Sequence, residues 1–209
     1  MTLWKWLDVR MPCQVTDSQR VLAVRPRHLL VWGGSTVTGQ FLIQLACQSG
    51  LHVIAVTSLR TKNLVARLGA KHVIIRDQKT NDEIVAEVHA TAGDDLMMAV
   101  DVVGNQTGAA CLRALSLSKA SLLAPLAFLK QDEYVPENIE IAPIEMKRFI
   151  IEKDNRRYAD ELNRLVDEGL VSMPSLEVLH GLDAIEPGLA ILKRGDMNGR
   201  KLVVKIAQP

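Results

Sequence analysis

Small and hydroxyl-bearing residues are concentrated in one stretch that could bind a phosphate. It follows the apolar residues Leu29–Trp32 and consists of Gly33, Gly34, Ser35, Thr36, Val37, Thr38 and Gly39. Where a strand passes through such a turn into a helix, backbone N–H groups and the positive end of the helix dipole bind a pyrophosphate. The stretch therefore predicts a dinucleotide-binding turn, in which glycines allow close backbone approach and hydroxyl groups add donors.

The motif is not a strict G-x-G-x-x-G, so an ordinary glycine-rich turn is the alternative. The strand–helix–strand pattern around it favours phosphate binding. We expect a carboxylate at Gly34 or Thr36 to block nucleotide binding without unfolding the protein, because like charges would meet at short range.

A second candidate site follows the next apolar run, Val53–Val56. NAD-preferring domains place an acidic residue here for the ribose hydroxyls, whereas this chain has Ser58, Arg60 and Lys62. A hydroxyl and a cation suit a 2′-phosphate. A solvated basic helix start is the alternative, although cations are mildly unfavourable at that end of a helix. The pattern predicts NADP(H) as the cofactor.

Short apolar runs alternate with helical patterns and must position these sites. Strands are predicted at 29–32, 53–56, 73–75, 97–103 and 120–124, and helices at 37–49, 61–68, 81–92 and 107–115. This alternation predicts an α/β fold with a doubly wound, Rossmann-like parallel sheet. The segment Ile139–Ile151 is an expected edge strand, and a further helix is predicted at 156–168.

Three regions are expected: a lead segment at 1–28, a cofactor-binding domain at 29–170 and a C-terminal strand–helix–strand appendage at 171–209. The net charge of +1 does not indicate a basic surface for binding nucleic acid. No apolar run is long enough to span a membrane. Cys13, Cys47 and Cys111 lack metal-ligand spacing, and an odd number of scattered cysteines indicates reduced thiols in the cytoplasm.

No nucleophile–base pair stands out, so the catalytic residues are left unassigned. The five histidines form no pair at metal-ligand spacing, and no metal site is predicted. Asp101, inside the fourth predicted strand, is expected to hold neighbouring backbone amides rather than act as a base. Asp94 and Asp95 are expected to form a solvated turn.

Four stretches together resemble the cofactor domain of the medium-chain dehydrogenase/reductase superfamily. Within it, the chain most resembles the trans-acting enoyl reductases of fungal polyketide pathways, from about residue 29 to the end. The stretches are Val31–Gly39, Leu68–Ala70, Ala99–Gly104 and Gly199–Lys205.

The resemblance implies an NADPH-dependent reductase of carbon–carbon double bonds. Ser58 and Arg60 then correspond to the 2′-phosphate site, and the nicotinamide side is lined by Val103, Gly104, Leu123 and Pro125. Family members carry an N-terminal, mostly β domain that forms the other wall of the substrate cleft. This chain is therefore expected to be a truncated member without that GroES-like catalytic domain.

Three functions follow from the resemblance and the shortened chain. The first is an enoyl-reductase-like oxidoreductase acting on a polyketide or another natural-product enoyl substrate. The second is a cyclase or isomerase of a polyene or related compound that uses the same crevice without redox chemistry. The third is a non-catalytic accessory subunit of a synthase. A polyketide synthase is an expected partner, as is a second copy joined through Ile139–Ile151, because open sheet edges pair readily.

Overall fold

A six-stranded parallel sheet forms the centre of the molecule. The computed structural model describes residues 27–126, 128–142, 144 and 151–206, so most of the expected lead segment lies outside the described residues. The strand order is β3-β2-β1-β4-β5-β6, and every neighbouring pair is parallel. The six strands are β1 (His28–Trp32), β2 (His52–Thr57), β3 (His72–Ile75), β4 (Met98–Asp101), β5 (Ser121–Pro125) and β6 (Ile139–Ile141). This order confirms the predicted doubly wound fold.

Helices cover both faces of the sheet, which explains why its strands are apolar on both sides. Three pack with one core cluster: α1 (Val37–Gln48), α2 (Lys62–Arg67) and α5 (Arg156–Asp167). Two pack with the other: α3 (Asn81–Ala92) and α4 (Asn105–Ala114). Leu29 faces the first cluster and Leu30 the second, and both are fully buried. Burial of each such side chain contributes about 1.5–3 kcal/mol to stability. Neighbouring residues of β1 face opposite sides of the sheet, so this one strand contributes to both cores.

Local capping sets the helix boundaries. Thr80 accepts a hydrogen bond from the Glu83 N–H, and the Glu83 carboxylate receives the Thr80 N–H, which is a capping box that starts α3 at the predicted residue. Helix α4 begins two residues before its predicted start, because Thr107 closes the turn onto Gly104. No helix within the described ranges is long and apolar enough to cross a bilayer.

The C-terminal residues form a small parallel strand–helix–strand unit. It consists of β7 (Leu176–His180), α6 (Ile185–Arg194) and β8 (Lys201–Lys205), and β7 pairs only with β8 among the described strands. Gly188 lets α6 pack closely, because a Cβ there would lie 3.0 Å from Leu202 and 3.2 Å from Leu179. The order of these elements is strand, helix, strand, and the division into a domain and an appendage at residue 171 stays a prediction. Its expected first residue, Val171, is nevertheless 1% exposed within the core of the main sheet.

The predicted edge strand is confirmed but is shorter than expected. Strand β6 covers Ile139–Ile141 and lies at the end of the sheet beside β5. Residues 143 and 145–150 of the expected Ile139–Ile151 edge lie outside the described residues.

Candidate functional site

The turn between β1 and α1 is held by the neighbouring strand. The N–H groups of Gly33 and Gly34 both donate to the Val56 carbonyl oxygen, at 3.1 and 3.0 Å. Gly33 has φ +95°, and a Cβ there would lie 2.6 Å from Val103 and 2.8 Å from Val102. The two glycines therefore provide the shape of the turn, and their N–H groups are bonded to β2 and not available to a ligand.

Thr36 uses its hydroxyl group to cap the helix. Its Oγ1 donates to the Gly33 carbonyl oxygen at 2.9 Å and accepts from the Gly39 N–H at 3.0 Å. Within the part of the chain that the structure describes, the N–H groups of Ser35, Val37 and Thr38 have no hydrogen-bond acceptor. These three donors at the start of α1 are available to an anion, and the Thr38 side chain is exposed beside them.

Gly34 and Gly39 serve packing. A Cβ on Gly39 would collide with the Gly33 carbonyl oxygen, so only glycine allows α1 to approach the turn. Gly34 is buried, and its Cβ would meet Ala55 at 3.1 Å and Ile43 at 3.2 Å. These contacts argue against the expectation that a carboxylate at Gly34 blocks nucleotide binding without unfolding the protein, since the added group would enter the core.

Polar residues from β2 and β3 continue the crevice. Ser58 and Arg60, placed after β2 as predicted, line a cavity of about 260 Å³ together with Ser35, Thr36 and Val37 of the turn. Ser58 Oγ lies 2.9 Å from Thr61 Oγ1, which fixes its hydroxyl group beside the opening. The Arg60 side chain is 69% exposed and reaches the same opening. The structure thus brings the two predicted regions into one site.

Sequence reasoning missed Arg76 and Asp77, which line the same cavity. Both follow β3, and carboxyl ends of adjacent parallel strands lie at one edge, so their position was available from the predicted strands. Among the described residues, the Arg76 side chain has no ion-pair partner. The Asp77 Oδ2 accepts the Leu59 N–H at 2.6 Å, which ties β3 to the turn that carries Arg60.

A loop from the C-terminal unit completes the crevice. We call Gly195–Arg200 the cap loop; five of its residues line the cavity. The buried Gln40 of α1 holds it, since Gln40 Nε2 donates to the Gly199 carbonyl oxygen at 2.6 Å and to the Ser35 carbonyl oxygen at 3.0 Å. One side chain therefore connects the turn between β1 and α1 to a segment 159 residues away in the chain.

The end of β4 forms the other half of the crevice edge. Asp101 accepts hydrogen bonds from Thr107 Oγ1 at 2.7 Å and from the N–H groups of Val103 and Gly104 at 3.3 and 3.2 Å. Burial raises the pKa of Asp101, and these three hydrogen bonds oppose the rise. Asp101 thus organises the loop, as predicted, and leaves Val103 54% exposed next to Gly33.

Two predicted nicotinamide contacts come from β5. The Leu123 side chain is fully buried in the cluster under α3 and α4, and its predicted contact with the nicotinamide stays a prediction. Pro125 pairs in register with Asp101 at the carboxyl end and is buried, so its predicted contact stays a prediction.

The histidines at the starts of the first three strands lie away from the crevice, as does Asp94. His28, His52 and His72 begin β1, β2 and β3, at the opposite edge of the sheet. Burial lowers the pKa of His28 and of His52. In the described ranges no group of three or more His, Cys, Asp or Glu side chains could hold a metal. Asp94 is exposed yet bonded, because Ser116 and Ser118 donate to its carboxylate and lower its pKa.

Comparison with solved structures identifies the class of fold that forms this crevice. The CurK enoyl reductase superposes with a TM-score of 0.72 at 16% identity, over 90% of this chain and 57% of that one. A mycobacterial protein complexed with NADPH superposes at 0.66 with 20% identity, over 83% and 56%. The CurF ER cyclopropanase of the curacin A pathway superposes at 0.67 with 21% identity, over 90% and 57%. The fold is therefore the Rossmann-type domain found in enoyl reductases.

Sequence relatives point to a narrower class. The chain is 26% identical over 225 residues to trans-enoyl reductase traG of Penicillium crustosum, across 95% of this chain and 60% of that protein. It is 30% identical over 198 residues to dehydrogenase orf1 of Aspergillus niger, across 86% and 53%. No protein-family model matches the chain. The resemblance to fungal trans-enoyl reductases is confirmed, and the chain spans between half and three fifths of these relatives.

Proposed function

We propose that this chain binds NADPH and works as an enoyl-reductase-like oxidoreductase on a polyketide or another natural-product enoyl substrate. The observation that carries the proposal is the crevice itself. Unbonded N–H groups of Ser35 and Val37 lie in it with the cations of Arg60 and Arg76, and the unbonded N–H of Thr38 follows in the first turn of α1. Oriented N–H donors at a helix start suit a pyrophosphate, and guanidinium groups suit a second phosphate.

The adenosine end explains the proposed preference for the phosphorylated cofactor. Two guanidinium groups and the Ser58 hydroxyl converge there, whereas the nearby carboxylate of Asp77 is already bonded to the backbone of Leu59. Charge-assisted hydrogen bonds from arginine to phosphate are about twice as strong as neutral ones. The site therefore favours a 2′-phosphate over two ribose hydroxyl groups.

At the other end of the crevice, the chain would position the nicotinamide ring. NADPH supplies a hydride to the enoyl carbon when it is bound. The exposed Val103 offers an apolar surface for one face of the ring, and Gly104 leaves space, since nothing lies within 4 Å of a Cβ built there. Asp101 keeps both residues in place through their N–H groups. Held in this way, the ring would be oriented before substrate binds.

Arg60→Ala is expected to weaken NADPH binding about 10- to 100-fold and to leave NADH binding nearly unchanged, because a charge-assisted contact contributes about 1.5–3 kcal/mol. Cofactor fluorescence on titration with protein measures both affinities. Lys62→Ala is the matched control, since Lys62, the other cation noted after β2 in the sequence, is exposed at the first residue of α2 but does not line the cavity. Equal affinities of the unmodified chain for NADPH and NADH would contradict the proposed cofactor.

Turnover tests the remaining part of the proposal. Oxidation of NADPH in the presence of a 2-enoyl thioester, followed at the nicotinamide absorbance, would support the reductase. Tight NADPH binding without oxidation, with or without a polyketide synthase, would instead favour a cyclase or an accessory subunit.

A second copy of the chain is the proposed partner at the sheet edge. Strand β6 is bonded to β5 on one side only among the described strands, and such an edge offers N–H and C=O groups for pairing. We expect a particle of twice 23.1 kDa in sedimentation at micromolar concentration. A mass that stays at the single-chain value over a hundredfold concentration range would rule out this dimer.

A further inference from the structure

An ion pair joins the cap loop to the proposed 2′-phosphate site. Arg60 Nη1 lies 3.9 Å from Asp196 Oδ1, and the two side chains are 69% and 46% exposed. Arg60 is therefore shared between solvent, the cavity and a carboxylate that comes from the far end of the chain. The ion-pair partner of Arg60 is thus an acidic residue from the cap loop, although the stretch Ser58–Lys62 directly after β2 contains no acidic residue.

The carboxylate of Asp196 is held in place independently of Arg60. Arg194 Nε donates to Asp196 Oδ2 at 3.0 Å. Arg200 Nε donates to the Met197 carbonyl oxygen at 3.1 Å, and Arg200 Nη1 lies 2.7 Å from Glu177 Oε2 on β7. Gln40 fixes the other end of the loop at Gly199. The negative charge of Asp196 would thus remain at the rim of the cavity when Arg60 turns towards a ligand.

We propose that Asp196 is a specificity-determining residue that competes with the 2′-phosphate of NADPH for Arg60. The inference rests on the proposed function, because it concerns the same crevice. Binding of the phosphorylated cofactor requires Arg60 to leave Asp196, and the phosphate then faces a fixed carboxylate. NADH has no phosphate at this position, so the competition does not affect it.

The carboxylate of Asp196 would limit how much more tightly the chain binds NADPH than NADH. Exposed ion pairs contribute little, and repulsion between the carboxylate and a phosphate adds to the cost of binding. Removal of the charge at Asp196 should therefore strengthen NADPH binding roughly threefold to tenfold. The direction of this change in affinity is informative, because removal of a side chain that contacts or positions a ligand would weaken binding.

The test compares Asp196→Asn with the unmodified chain in titrations of NADPH and of NADH. Asp183→Asn is the matched control: it removes the same charge from the turn before α6, and the ten residues of α6 separate it from the cap loop. We expect tighter NADPH binding only in Asp196→Asn and unchanged NADH binding in both variants. Unchanged or weaker NADPH binding in a folded Asp196→Asn variant would overturn the inference.

A double-substitution cycle separates competition from a general charge effect. In an Arg60→Ala background, Asp196→Asn should improve NADPH binding by a clearly smaller factor, because no shared cation remains. An equal improvement in both backgrounds would contradict competition for Arg60. Absence of NADPH binding by the unmodified chain would refute the proposed function itself, which is a different result from binding that does not respond to Asp196.

Discussion

Thr38→Glu is expected to reduce NADPH binding by on the order of 100-fold or more, because it places a carboxylate in the first turn of α1, where we propose that the pyrophosphate lies. Two like charges about 4 Å apart repel by about 4 kcal/mol at an effective dielectric constant of about 20, and solvent screening lowers this value. Thr38 is exposed, and its side chain forms no hydrogen bond with another described residue, so no native contact is lost.

The same substitution should leave the fold intact. A carboxylate in the first turn of a helix is stabilising by about 0.3–1 kcal/mol, so the unfolding temperature should stay the same or rise. Thr38→Gln is the control, since it has a similar size without the charge, and it should retain most of the affinity. A folded Thr38→Glu variant that binds NADPH normally would show that the cofactor does not use this turn.

The order and type of the elements could be predicted because local pattern and global fold agree. Apolar runs covered on both sides form β1 and β2, and the capping box of Thr80 and Glu83 starts α3 at the predicted residue. Carboxyl ends of parallel strands share one edge, so residue order along the chain was enough to predict that the turn of Gly33 lies beside Arg60. The role of Asp101 could also be predicted, because a carboxylate buried in a strand needs hydrogen-bond donors nearby.

Side-chain direction limited the prediction of the site. Leu123 and Pro125 were both assigned to the nicotinamide side, yet both side chains are buried, and Leu123 packs in the core under α3 and α4. Thr36 lines the cavity, but its hydroxyl group caps α1. Burial and capping depend on which groups pack against each side chain in the folded chain, and neither is visible in residue types alone.

The cap loop was missed for a different reason. Its contact with Arg60 spans most of the chain and depends on how the C-terminal unit lies against α1, through Gln40 and Gly199. The glycines of Gly195–Arg200 suggest a turn, but nothing local indicates which part of the molecule that turn covers. Long-range packing therefore decided the electrostatics of a site whose other residues follow from the order of adjacent strands.

The structure argues against one expectation about Gly34 in the turn between β1 and α1, and urea unfolding can test it. Gly34→Asp is expected to destabilise the fold by on the order of 3–5 kcal/mol, because it buries a carboxylate without a partner. A Cβ at this position meets Ala55, Ile43 and Val65 at 3.1, 3.2 and 3.5 Å, and none of these side chains can accept or donate a hydrogen bond.

A graded pair of variants distinguishes charge from size at this position. Gly34→Ala needs its neighbours to yield by a few tenths of an ångström and should cost about 1 kcal/mol. Gly104→Ala is the matched control at the same crevice, since a Cβ there has open space and its φ of 171° is extended backbone. Urea unfolding of the three variants gives the free energies. A Gly34→Asp variant as stable as Gly34→Ala would mean that the side chain at this position faces solvent. Any loss of NADPH binding in that variant could then be assigned to the charge in the turn, as expected from the sequence.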